Sequence, residues 1–134
     1  VTISLPMAAR FIEAHPHVEA ARGQVALERG PLVYCFEACD QDPGVELAAA
    51  MVDVELPVRT EWRPRMLGGT HTLRVSGRAR RIARGGSLYR PAATGTASVE
   101  QDVELVAVPY LLWANRQRGT MRVWQPRVPG RQAT

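Results

Sequence analysis

The most constraining feature of this chain is a repeated pattern. Short runs that alternate apolar and polar residues are broken every few positions by glycine, proline or a polar turn. The clearest instance is Gly23–Asp40, GQVALERGPLVYCFEACD. Gln24–Arg29 alternates, with Val25 and Leu27 pointing one way and Gln24 and Glu28 the other. A Gly30-Pro31 corner follows. Leu32–Phe36 is then apolar at every position, which predicts a central strand covered on both faces. Such runs are too short and have the wrong period for helices, so they confine the chain to an all-β fold.

The same reading extends along the chain. Val1, Ile3 and Leu5 alternate with Thr2 and Ser4, predicting a half-buried strand closed by Pro6. Arg10–Ala14 continues in that style until Pro16 interrupts it. Asp40–Gly44 is a loop by composition, and Glu46–Met51 is long enough for one helical turn only. Val52–Val58 reads as a strand. Leu67-Gly68-Gly69 is a tight turn into a strand over Thr70–Val75, and Arg78–Ala83 is expected to pair beside it across Ser76-Gly77. Gly85–Ser98 has the composition of a mobile loop. Gln101–Val108 is a strong strand, and Tyr110–Trp113 follows a break at Pro109. Asn115–Gly119 is a turn and Thr120–Gln125 the last strand. Eight or so strands with regular turns and little or no helix predict a β-sandwich of two antiparallel sheets, jelly-roll-like. Residues 1–125 form the domain and residues 126–134 a flexible tail.

The 134 residues suit one domain with a core of its own. Hydrophobic residues make up 46% and charged residues 22%, ordinary for a globular domain. No run has the apolar length of a membrane span. Val1–Pro6 lacks the basic start of a secretory signal, and the chain reads as beginning inside a longer protein. The net charge is +4, and all 17 basic side chains are arginine. The densest patch, Arg78–Arg84, carries no interleaved aromatics or recognition motif. It reads as a solvated strand edge, and no nucleic-acid partner is expected.

Candidate chemistry is sparse. Cys35 and Cys39 would lie about 13 Å apart on a straight strand, too far for a disulfide. They read as one buried thiol and one at a strand end, and two thiols without a second pair make no zinc motif. Glu37 and Asp40 flank a strand end and are the carboxylates best placed to approach each other, as a retaining glycosidase pair would have to. Read without that role, they are a solvent-facing pair or a loop cap. His15 and His17 flank Pro16 and read as exposed, and His71 is distant in sequence. Arg116 either holds a turn by binding backbone carbonyls or faces a neighbouring domain. Trp62, Trp113, Trp124 and Tyr110 together would make a sugar-stacking platform if they lay exposed on one face. Trp113 and Trp124 adjoin apolar runs and read as core. Trp62, between Glu61 and Arg63, reads as a surface aromatic and is the carbohydrate-binding candidate.

Three motifs, in order, carry a resemblance: RGPLVYC with Glu37 and Asp40 close behind, then WRPRMLGG over Trp62–Gly69, then VPYLLWANRQRGTMRVW over Val108–Trp124. They resemble the C-terminal β-sandwich region of glycoside hydrolase family 127, the β-L-arabinofuranosidase-like proteins. The similarity runs from about Leu5 to Trp124. The chain departs from that pattern near His15, where relatives have Asn. It departs again at Gln117-Arg118-Gly119-Thr120, where they have Gly-Pro-Gly-Glu, and at Cys39.

The resemblance implies a parent enzyme that is a retaining glycosidase. Its cysteine nucleophile, zinc and acid/base glutamate would sit in a helical barrel, and none of those positions matches a residue here. The expectation is therefore a non-catalytic domain with no cofactor of its own, the zinc belonging to the barrel. Its partners would be that barrel, a second copy in a two-fold dimer, and a glycan. The alternative is a carbohydrate-binding module.

Overall fold

The computed structural model describes residues 1–82, 85–92 and 99–130. Among these, nine strands join one hydrogen-bonded antiparallel sheet, and helical structure is confined to single 3-10 turns. The strands are β1 (Ala9–Glu13), β2 (Gln24–Arg29), β3 (Leu32–Glu37), β4 (Ala50–Val52), β5 (Arg59–Arg63), β6 (Thr70–Arg80), β7 (Glu100–Pro109), β8 (Met121–Arg122) and β9 (Gln125–Pro126). The main path runs β1-β2-β3-β7-β6-β4, with β5 beside β6, β8 beside β3 and β9 beside β2.

The hairpin β2–β3 forms where the sequence places it. Arg29 pairs with Leu32 across Gly30-Pro31, and Gly30 supplies the positive φ (56°) that so short a turn requires. Beyond this hairpin the two strands part, and β8 and β9 fill the fork. β8 pairs with Phe36 and Glu37, and β9 pairs with Gln24 and Val25. The chain then reaches β4. Arg127 bridges Val52 in parallel, and the Val128 N–H donates to the Val52 carbonyl at 2.8 Å. The sheet thereby curls back on itself, and its facing walls enclose the core. The all-β fold is as the sequence predicts, with the hydrogen bonding running as one network through both walls.

Register decides which side chains meet inside. Leu27 opposes Tyr34, Phe36 opposes Ala107, Ala107 opposes Leu73, and Leu105 opposes Val75. All seven residues lie on the inward face and belong to the core with Val25, Leu47, Ala50, Val52 and Ala79. Fully buried leucines of this kind each contribute about 1.5–3 kcal/mol relative to exposure.

Several expectations are corrected. Val1–Leu5 is not a strand: Val1, Ile3 and Leu5 are exposed and pair with nothing described. Alternation makes a strand possible, but only a partner edge satisfies its backbone. Val52–Val58 is not a strand either. The strand is Ala50–Val52, and the chain then turns at Asp53, whose Oδ1 accepts from the Glu55 N–H at 3.0 Å. Ser76-Gly77 does not separate two strands, because β6 runs unbroken from Thr70 to Arg80. Arg78 consequently sits inside the sheet, between β4 and β7, rather than on an edge, while Arg80 pairs with β7 alone. Val33 is exposed on one face of β3, so that strand is covered on both faces only from Tyr34 onward. Part of the Gly85–Ser98 loop lies outside the described residues, as do residues 131–134. Between them and Gln125, Pro126–Val128 is held by pairing.

Candidate functional site

The densest chemistry lies on the outer face of β3. Alternation along that strand turns Tyr34 and Phe36 inward and Val33, Cys35 and Glu37 outward. The segment after β7 crosses this outer face, and Cys35 and Glu37 are buried beneath it. Arg116 closes the arrangement. Its Nη2 donates to Glu37 Oε2 at 2.6 Å and to Asp40 Oδ2 at 2.7 Å, and its Nη1 donates to Asp40 Oδ1. The Glu37 and Asp40 side chains are only 6% and 4% exposed. The second Glu37 oxygen accepts the Ala114 N–H at 3.1 Å, and the Thr120 carbonyl accepts the Ala38 N–H at 2.9 Å. Gln41 ties the same corner to β7, accepting from the Val106 N–H and donating to the Val106 carbonyl.

The electrostatics follow from this geometry. The Asp40 and Glu37 carboxylates raise the Arg116 guanidinium above its usual range. Burial, with Glu37 and Asp40 nearby, pushes the Cys35 thiol up to about 12. Cys39 is raised as well, chiefly by burial. Both thiols are free. They are neutral at physiological pH, the opposite of an activated nucleophile.

Glu37 and Asp40 are thus not a solvent-facing pair, and Glu37 serves in part as the expected loop cap, accepting the Ala114 N–H. Both are locked on one guanidinium, which explains what Arg116 binds: carboxylates, not carbonyls. Glu37, Cys39 and Asp40 do offer ligand atoms within 4.8 Å of one another. Both carboxylates of that set are engaged by the Arg116 guanidinium. Sequence reasoning found Glu37 and Asp40 but missed the brace. Its members are 76 and 79 residues apart, and no local signal joins them.

A second ion network lies on the outer face of β5–β7. Arg74 bridges Glu61 at 2.5 Å and Glu104 at 2.8 Å, Arg59 pairs with Glu104, and Arg63 pairs with Glu61. Hydrogen bonds from Arg74 hold both carboxylates below their usual range. An open cleft of about 450 Å³ separates the two networks, lined by Asp40, Arg63, Arg74, Glu104, Arg116 and Gln117. Arg63, Arg74 and Arg116 are each paired with a carboxylate, and Asp42 also lines the cleft.

Trp62 is a surface aromatic as expected, 54% exposed on β5, with its ring 4.9 Å from that of His71. Trp113 is not core: it is 40% exposed, and its ring lies 6.2 Å from that of Tyr110. Trp124 is half-buried. The aromatics therefore form two ring pairs rather than one row. His15 and His17 are exposed and contact each other, without a third ligand among the described residues.

The sequence matches the glycoside hydrolase family 127 C-terminal domain over residues 9–126. The chain belongs to this family. It is 35% identical over 132 residues to the non-reducing end β-L-arabinofuranosidase of Bifidobacterium longum subsp. longum, covering 95% of this chain and 19% of that protein. Its fold is similar to a family 127 β-L-arabinofuranosidase from Geobacillus stearothermophilus T6, with a TM-score of 0.78 and 34% identity, covering 92% of this chain and 19% of that one. A second β-arabinofuranosidase of family 127 superposes with a TM-score of 0.74 at 32% identity, covering 91% and 17%. This family 127 C-terminal domain thus spans about a fifth of the length of the relatives it matches. The brace and the segment it holds fall within two of the three motifs that carried the resemblance.

Proposed function

We propose that this domain is the non-catalytic part of a β-L-arabinofuranosidase-like glycoside hydrolase, supporting a catalytic barrel that carries the nucleophile, the zinc and the acid/base. The observation that carries the non-catalytic reading is the state of Glu37 and Asp40. Both are buried and bound to Arg116, so neither is available to protonate a leaving group or attack a sugar. The parent reaction suggested by the relatives' names is release of terminal arabinofuranosyl residues.

The test is direct. The purified chain should not hydrolyse an aryl β-L-arabinofuranoside, and should carry no stoichiometric zinc when prepared without chelators. Turnover that disappears on Glu37→Gln or Asp40→Asn, or one tightly held zinc per chain, would overturn the reading.

The half-exposure of Trp62 favours a second reading, a carbohydrate-binding module. In that case arabino-oligosaccharides should quench tryptophan fluorescence saturably, and Trp62→Ala should abolish the quenching.

A further inference from the structure

We propose that the outer face of β3 from Val33 to the Tyr110–Trp113 turn is a docking surface for the remainder of a family 127 polypeptide, anchored by Tyr110, Leu111 and Trp113. The inference rests on the functional reading above and names the surface that would serve it.

Register builds the surface. Phe36 pairs with Ala107, Cys35 with Val108 and Tyr34 with Pro109. β7 ends at Pro109, and the chain passes into a 3-10 turn over Tyr110–Leu112 that packs beside β3. On this face Cys35 and Glu37 are covered, while Val33 is 45% exposed, Tyr110 44%, Leu111 66% and Trp113 40%. Large apolar side chains gathered at one place, in contrast to single exposed ones, mark an interaction site.

The platform is held still. The Trp113 N–H donates to the Tyr110 carbonyl at 3.1 Å, and Asn115 Nδ2 donates to the carbonyls of Leu112 at 2.9 Å and Trp113 at 3.2 Å. Ala114 takes a positive φ of 62°, unusual for a residue with a side chain, and its N–H is held by Glu37. The Arg116 brace then anchors Glu37. A buried ion cluster thereby fixes a turn whose bulky side chains face outward. Fixed aromatic anchors lose little freedom on docking, which is what an interface hot spot requires.

Chemistry selects the occupant. A sugar site needs directed polar groups around its aromatic face. Here the Leu112 and Trp113 carbonyls and the Trp113 and Ala114 N–H groups are already bonded within the domain, Asn115 Nδ2 being one of the donors, and Leu111 and Leu112 lie between the two rings in sequence. Leu111 and Val33 beside two aromatics suit a dry protein interface. The relatives supply that protein: this domain is 19% of their length, so the rest of the chain is tethered beside it at fixed stoichiometry and high effective concentration.

The experiment grafts residues 9–126 in place of the matching segment of the Geobacillus stearothermophilus relative. The active chimera and the isolated chain are then compared by hydroxyl-radical footprinting. Tyr110, Leu111 and Trp113 should label on the order of fivefold less in the chimera, as residues sealed from water do, with Trp62 unchanged. Leu111→Asp, at a site exposed enough to tolerate charge, should leave the isolated chain's melting temperature unaltered. In the chimera it should split a single calorimetric transition into two.

Equal labelling in the two proteins would overturn the proposal. So would protection of Trp62 in place of the patch, an outcome that leaves the non-catalytic reading standing. Protection of Trp113 in the isolated chain by arabino-oligosaccharide would assign the surface to a glycan. A Leu111-dependent dimer that persists in the chimera would assign it to a second copy. Either result overturns the proposal. Failure of the functional reading is separate, and would show as hydrolysis by the isolated chain.

Discussion

Cys35 shows how one buried group makes a stability statement. It is wholly shielded from solvent, and its thiol is raised to about 12 by burial with help from Glu37 and Asp40. In the unfolded chain a thiol ionises near pH 8.5. Between those values the native state holds a proton that the unfolded state has lost, so rising pH favours unfolding. This contribution is intact below about pH 8.5 and is lost progressively toward the folded value. The slope approaches about 1.4 kcal/mol per pH unit for a single proton. Urea denaturation at pH 8 and pH 10, under reductant, should show that decline in the wild type and a flatter profile in Cys35→Ala. Equal slopes would mean that Cys35 is not the group responsible. Cys39 and Tyr34, also raised by burial, contribute with the same sign, Tyr34 only at higher pH. Thiol burial was legible from Leu32–Phe36, an apolar run with a cysteine in it. The carboxylates beside it were not, because Asp40 approaches only where the chain makes a 3-10 turn at Ala38–Asp40.

At the scale of elements, β3 and β6 hold the sheet together. Tyr34 and Phe36 each have 1% exposure, and the Tyr34 hydroxyl donates to the His71 carbonyl at 2.9 Å. Replacing either by Ala should cost about 3–5 kcal/mol in chemical denaturation. Val33→Ala, one position away on the outer face, should stay within about 0.5 kcal/mol. A reversal of that order would mean the register is shifted by one residue.

Gly77 makes the matching argument for β6. It pairs with Val52 on one side and Val103 on the other, and a Cβ there would run into the Met51 carbonyl oxygen. Gly77→Ala should therefore destabilise by about 1–3 kcal/mol, as overpacking does, because backbone cannot step aside as a side chain can. Gly130→Ala meets nothing within 4 Å and should be neutral. From sequence alone, Ser76-Gly77 resembles a turn. Inside a strand, the same glycine marks close approach of a neighbouring backbone.

For the whole molecule, closure depends on β9. Gln125 is fully buried, and its Nε2 donates to the Leu47 carbonyl at 2.8 Å and the Ala50 carbonyl at 2.5 Å. With the Val52–Arg127 bridge, this joins the last strand to β4 and completes the curl. Gln125→Ala should cost about 1–3 kcal/mol for each carbonyl left bare. Thermal unfolding should remain cooperative at a lower midpoint. A change under about 0.5 kcal/mol would show that water replaces the amide and that closure rests on backbone pairing alone.

The sequence by itself determined the all-β class, the hairpin at Gly30-Pro31, the Leu67–Gly69 turn, the long strand before Pro109 and the family. Each is written in neighbouring residues: a period of two, a glycine where φ must be positive, an ordered set of motifs. Tertiary structure decided the rest. It left Val1–Leu5 unpaired despite its alternation and made one strand of Thr70–Arg80 across a glycine. It drew Arg116 onto Glu37 and Asp40, and turned Trp113 outward. Those outcomes depend on which distant segment arrives to satisfy a backbone edge, a charge or an apolar face, and residue order carries no local record of that arrival.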